Sequence, residues 1–332
     1  MTTRERLFDW REAFDHPVTL WITSGLVLVL AVAPVLIWIL GVTGAIKTEH
    51  RRDLVQRTHS WLFLAPLMIG PVLLGAAWAI IAVGVLSLFC YREYARVTGL
   101  FREKAISLVV VLGILLVTFA VFDHWYALFV ALFPLTVAAI SATAILADRP
   151  KGYIQRVALG ILGFVLFGCA LGHLGYFAND ENYRPVLLWL LLTVEMNDVF
   201  AYVTGKSFGH RKLAPQTSPN KTLGGALGAL ILTTVLAASL GHFVFYETNL
   251  DRPAALLVLG VLISAAGQLG DLMLSSVKRD LGIKDISALI PGHGGLLDRF
   301  DSLILVAPAV FHYVGYFNGV GLNQPARFLV GD

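Results

Sequence analysis

The chain has 332 residues, 57% of them hydrophobic and 14% charged, with a formal net charge of +3. A soluble domain carries about 25% charged residues, whereas here apolar stretches of about 20 residues, long enough to cross a bilayer as helices, recur from Val18 to Phe317. A disordered chain, a disulfide scaffold and a soluble enzyme are excluded, and the small net charge gives no argument for nucleic acid as a partner. Hydropathy predicts ten spans, at roughly 19–44, 59–75, 76–91, 106–121, 125–147, 157–177, 186–204, 223–246, 255–275 and 302–320. Before them, residues 1–18 form an N-terminal tail in which Leu7, Trp10 and Phe14 repeat at helical spacing, as in an interfacial amphipathic helix. The first span is longer than a signal-peptide core, lacks an evident cleavage site and reads as retained. The second and third form a tight hairpin near Gly70 and Pro71, or one re-entrant unit. Residues 19–320 are one membrane domain and 321–332 a C-terminal tail. Cys90 and Cys169 sit in apolar runs and read as small buried hydrophobes.

Basic residues alternate sharply between the loops. The loops at 45–58, 92–105, 148–156, 205–222 and 276–301 hold 19 of the 25 Lys and Arg residues. The positive-inside rule makes that side cytosolic. An even number of spans then puts both termini outside, against the three arginines Arg4, Arg6 and Arg11 of the tail.

Polar residues inside spans are costly and mark function by default. The seventh span carries Glu195, Asn197, Asp198 and Tyr202, with Asp198 and Tyr202 on one face. The ninth carries Ser264, Gln268, Asp271 and Ser275, the last three on one face. The bland alternative for both is a helix–helix hydrogen bond or a snorkelling carboxylate. The loop that follows reads from Ser275 through Lys278, Arg279, Lys284, Asp285 and Pro291-Gly292-His293-Gly294-Gly295 to Asp298-Arg299-Phe300-Asp301. Gly292, Gly294 and Gly295 let a backbone approach a ligand closely, and a turn leading into a helix can aim N–H groups at phosphate. Asp298 and Asp301, at i and i+3, face the same way, and with Asp271 they are hard oxygen ligands suited to Mg2+. Lys278, Arg279, Lys284 and Arg299 are phosphate partners. A solvated basic loop ahead of an acid-capped helix is the alternative. The loop after the seventh span adds Ser218, Asn220, Lys221 and Thr222, donors for phosphate or a common turn, and then Gly224 and Gly225.

These residues resemble the signature of the phosphatidate cytidylyltransferase (CDP-diacylglycerol synthase) family. Ser275, Lys278-Arg279, Lys284-Asp285, Pro291-Gly292-His293-Gly294-Gly295 and Asp298-Arg299-x-Asp301 fall at the family's spacing. A second block, Asn197 to Gly225, is similar through Asn197-Asp198, Phe208-Gly209 and Ser218-Pro219-Asn220-Lys221-Thr222. Arg92-Glu93-Tyr94 is a faint third match. The resemblance departs at Gly224, where Glu is usual, at Lys206, where Arg is usual, and at His210, where Lys is usual.

The resemblance implies an all-α polytopic integral membrane protein with about ten transmembrane helices and a cytosol-facing polar active site. Its catalytic segments would be 195–225 and 264–302. It implies transfer of the cytidylyl group of CTP to phosphatidic acid, giving CDP-diacylglycerol and pyrophosphate. Asp271, Lys278, Arg279, Asp298 and His293 are the expected catalytic residues, His293 as general acid, phosphate donor or turn residue. Asp198, Ser218, Asn220, Lys221, Thr222, Lys284, Gly292, Gly294, Gly295 and Arg299 are expected to bind substrate. Asp271, Asp298 and Asp301 are expected to hold Mg2+, a second cation being left open. The expected location is a bacterial inner membrane. The spacing of Gly224 and Gly228 allows close helix packing and leaves a homodimer open. Two alternatives stand beside this reading. One is a CTP-dependent kinase of a membrane alcohol; the other is a catalytically degenerate lipid-binding or transport paralogue, which the change at Gly224 keeps open.

Overall fold

A computed structural model describes residues 7–8, 10–287 and 294–319. The helices, in chain order, are α1 Pro17–Val42, α2 Thr48–Leu74, α3 Ala76–Val97, α4 Lys104–Phe122, α5 Tyr126–Ile145, α6 Tyr153–Gly163, α7 Leu171–Tyr176, α8 Tyr183–Phe208, α9 Leu223–Val244, α10 Pro253–Asp280 and α11 Leu297–Asn318. A π-helical stretch, Phe164–Ala170, joins α6 to α7, so that Tyr153–Asn179 is one span. Among the described residues nine spans are long and apolar enough to cross a membrane. In lipid every backbone polar group must be satisfied internally, which is why apolar sequence takes this helical form. Exposed Val27, Leu28, Val29 and Trp38 on α1 are a lipid-facing surface, not a defect. The protein is thus an all-α polytopic membrane protein, as expected.

Four expectations shift. Residues 10–16 form turns, not an amphipathic helix. Leu7 is buried while Trp10 and Phe14 stay exposed, because the Leu7 carbonyl lies against Gly75. The expected second span, 59–75, lies in α2, which begins at Thr48 with an exposed Arg57–Asp53 pair at 3.0 Å and is not among those nine, so the count of ten and the even number of spans do not carry over. It also runs through Gly70 and Pro71, and the chain turns at Gly75, whose φ of 142° suits only glycine. Hydropathy also cut α8, α10 and α11 short, since their polar ends continue the helix. Lastly, Ser218–Thr222 is strand β2, paired antiparallel with strand β1, Lys212–Ala214, so Asn220 lies in a strand and not in a turn.

The basic loops meet at one end. Arg149 pairs with Glu103 at 2.8 Å, Arg279 donates to the Thr217 carbonyl at 3.2 Å, and Ser287 donates to Glu93 at 2.6 Å. At the other end Arg184 donates to the Glu12 carbonyl at 3.4 Å, and Trp21 meets Phe243 edge-on.

Two devices hold α8, α9 and α10 together. The first is a polar knot. Asn197 Oδ1 accepts from Thr233 Oγ1 at 3.0 Å and Ser264 Oγ at 2.6 Å, and Gln268 Nε2 donates to Ser264 Oγ and the Ala226 carbonyl. The second is a glycine seam. A Cβ on Gly224 would lie 2.7 Å from the Phe208 carbonyl oxygen, and one on Gly225 would lie 2.7 Å from that of Ala201. The Gly224–Gly228 spacing therefore serves packing within the chain, and the homodimer loses that support.

The seam gives a stability test. Gly224→Ala is expected to cost about 1–3 kcal/mol by overpacking, read as a lower melting temperature in detergent. Gly315→Ala, with nothing within 4 Å of the new methyl, is the control and should melt at or above wild type. Equal melting of the two variants would contradict the seam.

Candidate active site

The site lies at the end of the bundle where the basic loops converge. α8 brings Glu195 and Asp198, α10 brings Asp271 and Lys278, and α11 brings Asp298, Arg299 and Asp301. β2 brings Lys221, because the β1–β2 hairpin folds back over α9.

Lysines meet the carboxylates. Lys221 Nζ lies 2.5 Å from Asp271 Oδ2, and Lys278 Nζ lies 2.8 Å from Asp298 Oδ1. The second pair is the more deeply buried, its side chains 11% and 6% exposed against 24% and 24% for the first. Ser275 Oγ donates to Asp271 Oδ1 at 3.2 Å. Asp271 also interacts electrostatically with Asp198 and Asp301, and Arg299 with Glu195 and Asp198. Carboxylates from three helices thus share one region with three cations.

The expected site residues separate into two groups. Asp198, Lys221, Asp271, Lys278, Asp298, Arg299 and Asp301 are brought together. Of the others, Gly294 and Gly295 lie against Asp298, while Arg279, Thr222, Asn220, Lys284 and Ser218 are engaged elsewhere or turned outward. Arg279 Nε donates to the Thr217 carbonyl and its Nη1 to that of Ile283, which ties α10 to the hairpin. Thr222 is buried and caps α9, its Oγ1 accepting from Gly225 N–H at 3.1 Å. Asn220 and Lys284 are exposed, and Ser218 is half-buried. Gly294 adopts φ 81° and Gly295 is buried. Gly292 and His293 lie outside the described residues.

Asp298 has more partners than a free metal ligand would. Beyond Lys278 on Oδ1, its Oδ2 accepts from the N–H groups of Ile286 and Gly295, each at 3.0 Å. Among the described residues no three His, Cys, Asp or Glu side chains are grouped so as to hold a metal ion. The donor chemistry suits a hard divalent cation, but as placed the oxygens of Asp271 and Asp298 face lysines.

Sequence reasoning noted Glu93 only within a faint motif. It is buried at the end of α3, and its Oε1 and Oε2 accept from Ser287, Leu296 and Leu297. Its one signal was a carboxylate in the last turn of an apolar span, next to Arg92.

Beside the site runs an apolar groove of about 870 Å³. α2 supplies Gln56, His59 and Leu64, α3 supplies Phe89, and Leu296 and Phe300 lie on the segment that carries Asp298. Gln56, His59 and Ser60 are its polar residues, on one face of α2.

The profile of the cytidylyltransferase family matches residues 55–317. A protein named as uncharacterized, YnbB of Escherichia coli, is 32% identical over 271 residues, which covers 80% of this chain and 88% of that protein. The chain belongs to the cytidylyltransferase family and, by that membership, is a nucleotidyltransferase embedded in the membrane. Relatives named phosphatidate cytidylyltransferase match part of the chain. The one from Staphylococcus haemolyticus is 38% identical over 42% of this chain and 52% of its own length. That of Haemophilus influenzae is 44% identical over 40% of this chain and 46% of its own. The match thus spans about half of each.

The difference in burial between the ion pairs is testable. Lys278→Met removes the cation paired with the buried Asp298 carboxylate and should cost about 3 kcal/mol. Lys221→Met, in the more open pair, should cost about 1 kcal/mol or less. Detergent melts should rank wild type first, Lys221→Met second and Lys278→Met last; the reverse order of the variants would mean that Asp298 does not depend on Lys278.

Proposed function

We propose that this chain transfers the cytidylyl group of CTP to phosphatidic acid, forming CDP-diacylglycerol and pyrophosphate. One observation carries the reading. Leu296 and Phe300 line the apolar groove and flank Asp298, so a lipid lying in the groove brings its head group to the Lys221 and Lys278 pairs. A groove of this size is in the range of small-molecule sites, and its apolar walls suit acyl chains. The names of the two partial relatives support the same acceptor.

The chemistry asks for charge neutralisation more than for acid–base work. A phosphate oxygen of the lipid, already anionic, attacks the α-phosphorus of CTP. A new P–O–P bond forms, the bond between the α-phosphorus and its bridging oxygen breaks, and pyrophosphate leaves with the electron pair. Lys221, Lys278 and Arg299 offset the repulsion between the two anions, and Lys284 stands at the rim. Positioning then supplies much of the acceleration. Mg2+ would be held by Asp271 and Asp301, with Asp198 beside them, and would polarise the phosphoryl oxygens. Asp298 is assigned to holding the loop, since its oxygens accept from Lys278 and two backbone N–H groups of that loop, whereas the donors to Asp271 are side chains of α10 and β2. Gly224 packs in the α8–α9 seam, against the Phe208 carbonyl. By the positive-inside rule this end of the bundle faces the cytoplasm, and a bacterial inner membrane suits that orientation.

The test uses the solubilised protein with phosphatidic acid, Mg2+ and CTP labelled in either the α- or the γ-phosphate. Label from the α-phosphate should enter the lipid with an equal yield of pyrophosphate, and Lys221→Met should lower the rate by about a hundredfold. γ-Label in the lipid with release of CDP would replace this reading with that of a kinase. No lipid label from either would overturn it.

A further inference from the structure

We infer that Glu93 is a positioning residue, whose carboxylate clasps both sides of the signature loop and so sets the first turn of α11. Ser287 stands before the stretch that carries Gly292 and His293, and Leu296 stands after it. One carboxylate holds both. Glu93 Oε1 accepts from Ser287 Oγ at 2.6 Å and from Leu296 N–H at 3.2 Å, and Oε2 accepts from Leu297 N–H at 2.8 Å. Asp298 makes a matching clasp from the other side, its Oδ2 accepting from Ile286 N–H and Gly295 N–H. The two carboxylates close in on Gly295. A Cβ there would lie 2.8 Å from Glu93 Oε2 and 3.2 Å from Asp298 Oδ2, which accounts for a glycine at that position.

The choice of a carboxylate follows from the donors. The N–H groups of Leu296 and Leu297 are among the first of α11 and have no partner within their own helix. A negative charge at a helix N-terminus is favourable, and hydrogen bonds to an ionised acceptor are among the strong ones. The first turn so anchored carries Asp298, Arg299 and Asp301. Glu93 is about 200 residues away in sequence, so the first half of the chain positions the chemistry of the second. It acts through Leu296 and Leu297.

Glutamine is the decisive substitution. It keeps the size of glutamate but has one acceptor oxygen and an NH2, which would face a main-chain N–H. A packing role would tolerate Glu93→Gln; a clasp would not. Two measurements are made on the full-length protein in detergent. The first is amide exchange at Leu296 and Leu297 by mass spectrometry, which needs no activity. Glu93→Gln should exchange about 10–100 times faster than wild type there, with Glu93→Asp between them. Gly295→Ala, pressing on Oε2, should also speed exchange and serves if Glu93→Gln does not fold.

The second rests on the proposed transferase reading. In the CTP-dependent reaction Glu93→Gln should lower kcat by about 10–100-fold with little change in the KM for lipid, and Glu93→Asp should recover part of it. Wild-type exchange in folded Glu93→Gln, or in Gly295→Ala where the former fails to fold, overturns the clasp. Normal kcat in Glu93→Gln overturns its role in positioning. A wild type without transfer counts against the proposed function alone, and the exchange result still decides the clasp.

Discussion

Carboxylates at the end of a membrane bundle must be given donors, and much of the site's architecture answers to that demand. A buried charge without partners costs several kcal/mol. Asp298 therefore takes Lys278 and two backbone N–H groups, Glu93 takes a hydroxyl and two, and Asp271 takes Lys221 and Ser275. The carboxylates come from α3, α10 and α11, and their partners from β2, α10, α11 and the segment between the last two helices. Satisfying the charges is what gathers elements far apart in sequence. The same groups then stand ready for anionic ligands, since a lysine paired with a carboxylate is a cation held in place.

Behind the charged end, the bundle is fixed by packing that leaves the site little freedom. The Asn197 knot ties three helices with hydroxyl and amide bonds where no water competes. The glycine seam brings the ends of α8 and α9 to backbone contact, which sets where β2 and Lys221 emerge. On the lipid side, α2 and α3 leave a groove against Leu296 and Phe300. The aqueous and the apolar halves of the proposed reaction therefore meet on one short segment at the start of α11.

Much of this was legible in the residues, because hydropathy and spacing are local. The apolar runs located the spans, and Lys221, Asp271, Lys278, Asp298 and Asp301 were marked by being charged beside lipid. What was not legible depends on contacts across the fold. Hydropathy does not register that the charged stretch from Thr48 continues a helix, nor that Gly75, against Leu7, makes the turn in place of Gly70 and Pro71. Thr222 reads as a phosphate donor, and its cap on α9 is not visible in the residues. Asp298 reads as a metal ligand, and spacing does not register that its two oxygens also accept from three donors. Gly224 reads as a lost carboxylate, and its close packing on the Phe208 carbonyl is not visible in the residues. Glu93 gave almost no signal, because the groups that need it lie about 200 residues later.

The central claim is that two distant segments, 212–225 and 294–301, form a single nucleotide site. Its most direct test is protection from amide exchange on titrating CTP with Mg2+ into the solubilised protein. The account predicts that both segments are protected with the same half-saturating CTP concentration, and that Lys221→Met weakens the protection of both together. Protection of one segment alone, or of the two at different concentrations, would contradict it.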